Sequence, residues 1–132
     1  MLFRSLEKSY LNMALLAMRR QDWQDAADQS DILLRLNPRD YVLGFYYNAV
    51  GHVNLQHASK ALASAAEAVA LDIKHAFPEA ERLYGTLLAG QGRIKEAVDQ
   101  LRNFVAHAQA GPTVDQAKTT LAGLEKKMAE SK

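Results

Sequence analysis

The chain has 132 residues, of which 48% are apolar and 23% are charged, a composition typical of a folded globular protein and too apolar for a disordered one. Sixteen Lys and Arg against fifteen Asp and Glu leave a net charge of +1, which gives no electrostatic indication of nucleic acid or of an anionic membrane as a partner. The absence of cysteine excludes disulfides, zinc–thiolate sites, iron–sulfur clusters and a cysteine nucleophile.

The first two helices are predicted over Ser5–Arg20 and Trp23–Leu36. Apolar residues on the first recur at steps of three and four, which is the spacing of one helix face: Phe3, Leu6, Tyr10, Met13 and Ala17. Asp22 is the expected N-cap of the second helix, because its side chain can accept from the free amides of the first turn. Pro38 cannot continue that helix and ends it.

The third and fourth helices are predicted over Tyr41–Leu55, with Asp40 as N-cap, and Ala58–Leu71. The fourth is rich in alanine, and such small residues let two helix backbones approach closely. The stretch Tyr41–Ser59 contains no Asp, Glu, Lys or Arg, but Asn and His residues interrupt it. We therefore expect a central helix that neighbours cover on both sides, and no insertion into a membrane.

Glycine and proline separate three further helices, which are predicted over about Pro78–Gly90, Arg93–Gln109 and Thr113–Glu130. Gly111-Pro112 stops the sixth helix. Thr113 with Gln116 three residues later is the signature of a capping box for the last helix. Sustained alternation of apolar and polar residues is missing throughout, so we expect no sheet.

Three very short turns join the first six helices into hairpins. The turns lie near Gln21-Asp22, Gln56-His57 and Gln91-Gly92, and both intervals are 35 residues. A fixed period in this range indicates a solenoid of helix pairs. Because one hairpin cannot bury its apolar face alone, the pairs must stack.

The repeats resemble those of the tetratricopeptide family. The matching residues of the first repeat are Tyr10, Met13-Ala14, Ala26 and Leu36-Asn37-Pro38, and those of the third are Tyr84-Gly85, Gly92, Ala97, Leu101 and Phe104. The second repeat departs from the pattern, since Ile73 stands where proline is expected and about two extra residues follow. The resemblance implies an all-α, right-handed superhelical array of three antiparallel hairpins with a terminal solvating helix. It implies one domain over 1–132, with repeats at about 7–40, 42–75 and 78–110 and a capping helix at about 113–130.

The resemblance implies binding and no enzymatic activity. Such arrays form a groove lined by the first helix of each pair, and their partners are peptides, helices or protein surfaces. The positions carried over to the groove are Leu11, Leu15, Met18, Arg19, Tyr46, Tyr47, Val50, Asn54, Arg82 and Thr86. One subclass grips the C-terminal carboxylates of chaperones with Lys and Asn, but Leu11, Leu15 and Tyr47 occupy places where that clamp needs polar or basic residues. An apolar groove with tyrosines suits an amphipathic helix or an aromatic peptide.

The alternative is a structural or self-associating segment of a larger protein. The first helix is apolar on two faces and begins with Leu2, Phe3 and Leu6, whereas terminal repeats need a polar outer face. We expect upstream sequence or a second copy, forming a homodimer, to cover this end.

Neither a metal site nor a cofactor is expected. His52 and His57 are five residues apart, a spacing that does not place both on one helix face, while His75 lies in a loop and His107 on the sixth helix. No nucleophile with a base or phosphate loop is apparent, since Gly90-Gln91-Gly92 lacks the residues of nucleotide motifs. The N-terminus does not read as a signal peptide. The pattern leans towards a soluble cytoplasmic protein, and the alternative is a soluble domain of an exported or membrane-anchored parent.

Overall fold

The computed structural model describes residues 2–131, and the side chain of Leu2 lies outside the description. Over these residues the regular structure consists of helices, with no strand. The helices are α1 (Leu2–Arg19), α2 (Trp23–Leu36), α3 (Val42–Asn54), α4 (Ala58–Leu71), α5 (Pro78–Gly90), α6 (Ile94–His107) and α7 (Pro112–Glu130). Their bounds lie within three residues of the predicted ones, which confirms the all-α class.

The contacts divide the chain into two compact units, Met1–Asp72 and Ile73–Lys132. The N-terminal unit holds the hairpins α1–α2 and α3–α4, and the C-terminal unit holds the hairpin α5–α6 followed by α7. The division into repeats agrees with the predicted turns, while the organisation as a single domain over 1–132 remains a prediction.

Of the three N-caps predicted from the sequence, the structure confirms one and differs at two. The Asp22 side chain accepts a hydrogen bond from the Asp25 amide at 3.1 Å, as predicted. The predicted cap at Asp40 is wrong: Tyr41 is the N-cap of α3, and the Asp40 carboxylate accepts from Asn37 Nδ2 at 2.9 Å. The predicted capping box at Thr113 is also wrong, because α7 begins one residue earlier at a proline, whose fixed φ suits the first helical position.

In the N-terminal unit, α3 is the central helix, as its lack of charge predicted. It packs against α2 and α4 and also contacts α1. Its buried residues point in several directions around the axis: Gly44, Phe45, Tyr47, Asn48, Ala49, Gly51 and His52. At Gly51 the α2 backbone comes so close that a Cβ atom there would lie 3.0 Å from the Ala27 nitrogen. The alanines of α4 that face this helix, Ala61, Ala65 and Ala68, are buried.

A chain of polar side chains runs through the same unit from α2 to α4. Asn48, 4% exposed, donates to Ser30 Oγ at 2.9 Å and to Asp31 Oδ1 at 2.7 Å. Its carbonyl oxygen accepts from Ser64 Oγ at 2.6 Å. Because the amide of Asn48 is satisfied on both sides, its burial is compensated and fixes the register of three helices.

The C-terminal unit is built around Phe104 of α6. The ring is 1% exposed and packs with Val114 and Ala117 of α7. The guanidinium carbon of Arg82 lies 5.9 Å from the ring centroid, within the range of a cation–π contact. The contact between α6 and α7 therefore buries the apolar side of the last helix, which fits its predicted capping role.

The outer side of α1 is apolar and exposed. Phe3 is 74% exposed, Leu16 is 49% exposed and Leu6 is 43% exposed. One turn after Phe3, on the same face, Glu7 is buried and its carboxylate accepts from Asn37 Nδ2 at 2.8 Å. The helix is thus anchored through Glu7, while Phe3, Leu6 and Leu16 present large apolar side chains to solvent.

Candidate binding surface

Eight of the residues expected in the groove lie on the first helices of the N-terminal hairpins. We call this set the first-helix face: Leu11, Leu15, Met18 and Arg19 of α1 with Tyr46, Tyr47, Val50 and Asn54 of α3. On each helix the four positions fall within an arc of about 100°, and α1 contacts α3. Five of them are half-buried, whereas Arg19 and Asn54 are exposed. Tyr47 is only 8% exposed, so its ring offers little surface to a partner.

Two interactions involve the tyrosines of this face. Burial raises the pKa of the Tyr47 phenol, and the nearby charge of Arg19 acts on it in the opposite sense. Tyr46 and Tyr47 form an edge-on pair with their ring centroids 6.2 Å apart. Arg19, in the last turn of α1, therefore lies near enough to Tyr47 of α3 for its charge to act on the phenol.

The remaining two expected residues, Arg82 and Thr86, lie on α5 in the C-terminal unit. Together with Leu101, Gln116 and other residues of α6 and α7 they line a cleft of about 220 Å³. Glu79 accepts from the Arg82 guanidinium at 2.9 and 3.0 Å. The guanidinium is also placed over the Phe104 ring, so its position is defined before any partner arrives.

A second cleft in the N-terminal unit, about 440 Å³, is polar and was not expected. Asp31, Asn48, His52 and Lys60 are among its lining residues. His52 Nε2 lies 3.3 Å from Asp31 Oδ1, and His52 Nδ1 lies 3.1 Å from His57 Nδ1. The two histidines do not share a helix face, as their spacing predicted, but their rings are in contact. The helix ends before His57, and the turn, where Gln56 has a φ of 63°, brings the second ring back to the first.

The C-terminal unit brings together two further histidines that the sequence had placed on separate elements. His75 and His107 stack with their centroids 4.2 Å apart, and both line a cleft of about 510 Å³. The buried carboxylate of Glu81 lies beside them, 3.2 Å from His75 Nδ1. The three residues do not have the spacing of a metal-binding motif, so no signal in the sequence marks this cluster.

Sequence comparison identifies no relative: no family model matches the chain, and no curated protein matches it. Comparison of the structure finds close likenesses. SycD, the translocator chaperone of type III secretion in Yersinia enterocolitica, has a TM-score of 0.79 at 17% identity over 92% of this chain and 85% of its own. The TPR domain of Arabidopsis OM64 has a TM-score of 0.78 at 19% identity, and the match covers 89% of this chain and 94% of that domain. The TPR2B domain of yeast Sti1, solved with pHsp70, has a TM-score of 0.77 at 14% identity, and the match covers 92% of this chain and 97% of that domain.

The chain therefore has the tetratricopeptide fold, as the repeat pattern predicted. At these identities the likeness defines the fold and leaves the partner to be argued from this chain's own surface. Among the helices of residues 2–131, none is both long and apolar enough to cross a bilayer.

Proposed function

We propose that the chain is a non-enzymatic protein-interaction module that binds a peptide, a helix or a protein surface on its first-helix face. The observation that carries the proposal is the composition of that face. Leu11, Leu15 and Met18 form a half-exposed apolar strip, which is bordered by Tyr46 on one helix and by the exposed charge of Arg19 on the other. Tyrosine and arginine beside an apolar strip are the residue types that dominate binding energy in protein interfaces.

The chemistry of the face favours an amphipathic or aromatic segment as ligand. An apolar strip buries the apolar side of a helix, and the Arg19 guanidinium, beside the phenol of Tyr47, can pair with a carboxylate at the segment's edge. The fold supports the proposal by analogy, since SycD has also been solved with a peptide of the translocator YopD. The clamp of basic and asparagine side chains that holds chaperone C-termini is not matched by Leu11 and Leu15.

The first prediction concerns the double substitution Arg19→Ala with Tyr46→Ala. A peptide selected on the wild-type chain from a random library should bind the double variant at least about thirtyfold more weakly, because the loss of even one anchor of this type costs about 2 kcal/mol. Fluorescence anisotropy with the labelled peptide measures the change. Helicity measured by circular dichroism should stay the same, since Arg19 is exposed and Tyr46 is half-buried.

The matched control is Arg39→Ala with Tyr10→Ala, which removes the same residue types outside the first-helix face. It should leave the affinity within about threefold of the wild type, as substitutions away from an interface usually do. Equal loss in both double variants would contradict the proposed face. Loss of helicity in the first variant alone would mean that Arg19 and Tyr46 stabilise the core instead of contacting a partner.

A second candidate function is self-association through the outer side of α1. Phe3, Leu6 and Leu16 are all more than 40% exposed there, and large apolar side chains grouped on one side of a helix are typical of an interface. Leu2, which was expected to take part, lies outside the described side chains. This candidate is compatible with the first, because a dimer formed on this side leaves the first-helix face open.

The second prediction tests self-association with the double variant Phe3→Ser and Leu6→Ser. The wild type should show a mass that rises towards that of a dimer with concentration in size-exclusion chromatography with light scattering, and the variant should remain a monomer. Leu36→Ser with Ile73→Ser removes comparably exposed apolar side chains elsewhere, 43% and 83% exposed, and should not change the mass. A wild type that is monomeric at every concentration would eliminate this candidate.

A further inference from the structure

The starting point is an incompletely compensated carboxylate in the C-terminal unit. Glu81 of α5 is 1% exposed. Its Oε1 lies 3.2 Å from His75 Nδ1, while Oε2 accepts no hydrogen bond from any residue in the described range 2–131. A buried carboxylate is costly unless positive charge or donors surround it, and the contact of Oε1 with a half-exposed ring leaves Oε2 uncompensated. A cation beside the carboxylate would supply this compensation.

Two imidazoles stand beside this carboxylate. His75 precedes α5 and has a φ of 52°, and His107 lies in the last turn of α6. The rings are nearly parallel, with an angle of 6° between their planes and 4.2 Å between their centroids. They come from positions 32 residues apart in the sequence, so the packing of the unit, and not a local motif, places them together.

The hydrogen bonding of His107 leaves one of its nitrogens available as a ligand. Its Nδ1 lies 2.8 Å from the backbone oxygen of Asn103. Since a carbonyl oxygen can only accept, Nδ1 carries the proton, and the neutral ring keeps its lone pair on Nε2. Metal-binding histidines usually have this arrangement, in which one nitrogen donates to a carbonyl and thereby fixes the orientation of the ring.

We propose that His75, Glu81 and His107 form a binding site for a divalent transition metal ion of the zinc type. One nitrogen of each ring and one carboxylate oxygen lie within 4.8 Å of one another. Tetrahedral coordination at 2.0–2.1 Å from each ligand atom requires ligand atoms about 3.4 Å apart. A tilt of the two rings out of their stack supplies this closure, because His75 is only half-buried and His107 is exposed.

The ligand set also selects the ion. Two imidazoles and one carboxylate suit zinc and its neighbours, whereas magnesium prefers oxygen ligands and water. The cleft of about 510 Å³ that His75 and His107 line has room for a water molecule to complete the coordination. Binding would tie the segment before α5 to both α5 and α6 and would neutralise the Glu81 carboxylate. The site is distinct from the first-helix face and does not depend on the function proposed for that face.

The histidine pair of the N-terminal unit serves as the comparison. His52 uses opposite nitrogens for its two neighbours, Nε2 for Asp31 and Nδ1 for His57. Asp31 and His57 therefore lie on opposite edges of one ring, and the three residues cannot place their ligand atoms around a single ion. This pair provides a control in which two histidines touch without forming the proposed site.

The experiment is a calorimetric titration of the full chain with Zn²⁺ after treatment with a chelator. The wild type should bind one Zn²⁺ ion per chain and should show no comparable binding of Mg²⁺. His107→Ala should weaken Zn²⁺ binding by at least about tenfold, since even the loss of a partner behind a ligand costs that much. His57→Ala, the matched control, should bind Zn²⁺ like the wild type.

A measurement on the unaltered chain makes the test independent of folding defects in a variant. Zn²⁺ should shift the ring NMR signals of His75 and His107 and leave those of His52 and His57 unchanged. The proposal is overturned if the wild type binds no Zn²⁺, or if His107→Ala binds it as well as the wild type does. It is overturned equally if the shifts occur at His52 and His57 instead.

Discussion

Replacing Phe104 by alanine is expected to lower the free energy of unfolding of the C-terminal unit by about 3–5 kcal/mol. The ring is 1% exposed and packs with Val114 and Ala117, so its removal leaves a cavity between α6 and α7. Arg82 loses the ring over which it lies at the same time. Urea unfolding followed by circular dichroism measures the change.

The control for this prediction is the same substitution at Phe3. That ring is 74% exposed, so Phe3→Ala in dilute solution should change the free energy of unfolding by less than about 0.5 kcal/mol. An equally small effect of Phe104→Ala would mean that packing against the Phe104 ring does not hold α7 in the C-terminal unit. The two variants make the same substitution, so the difference between them measures the effect of burial.

Gly51→Ala is expected to destabilise the N-terminal unit by about 1–3 kcal/mol, although alanine is the better helix former. A Cβ atom at this position would lie 3.0 Å from the Ala27 nitrogen and 3.3 Å from the Trp23 oxygen. Both neighbours belong to the α2 backbone and cannot move aside as a flexible side chain would. The two helices must therefore separate, which weakens the contacts between the hairpins.

Gly123→Ala is the matched control, because this glycine lies inside α7 and a Cβ atom there would meet nothing within 4 Å. The substitution should stabilise the helix by about 0.5–1 kcal/mol. The expected effects at the two glycines thus have opposite signs. Stabilisation by Gly51→Ala in thermal or urea unfolding would show that the approach of α2 and α3 is looser than the structure indicates.

The residues expected to bind on α1 and α3 share one face of their helix, as helical spacing requires, but they differ in exposure. Helical spacing places Tyr46 and Tyr47 on neighbouring parts of α3, and the sequence treats them as equivalent. In the structure Tyr46 is half-buried, whereas Tyr47 is 8% exposed and lies beside Arg19 of another helix. Their exposure depends on how far α1 covers α3. The spacing of residues along one helix cannot predict this packing. The role of the face in binding remains a prediction.

The contacts of the histidines also could not be predicted from spacing along the chain. His52 and His57 do not share a helix face, as their spacing predicted, but the helix ends between them and the turn brings their rings into contact. His75, Glu81 and His107 carry no common spacing at all, and only the packing of α5 against α6 unites them. A search for ligand motifs along the chain misses clusters of this kind.

The sequence alone determined the helices, the three hairpins and the tetratricopeptide fold. These depend on interactions between residues a few positions apart, which apolar spacing, helix-ending glycine and proline, and the 35-residue interval between turns record directly. Only the tertiary structure decided which side chains are buried, how closely Gly51 approaches α2, and that Glu81 lies beside two stacked histidines. Those features arise from packing between segments distant in the sequence, where small changes in helix approach decide burial and contact.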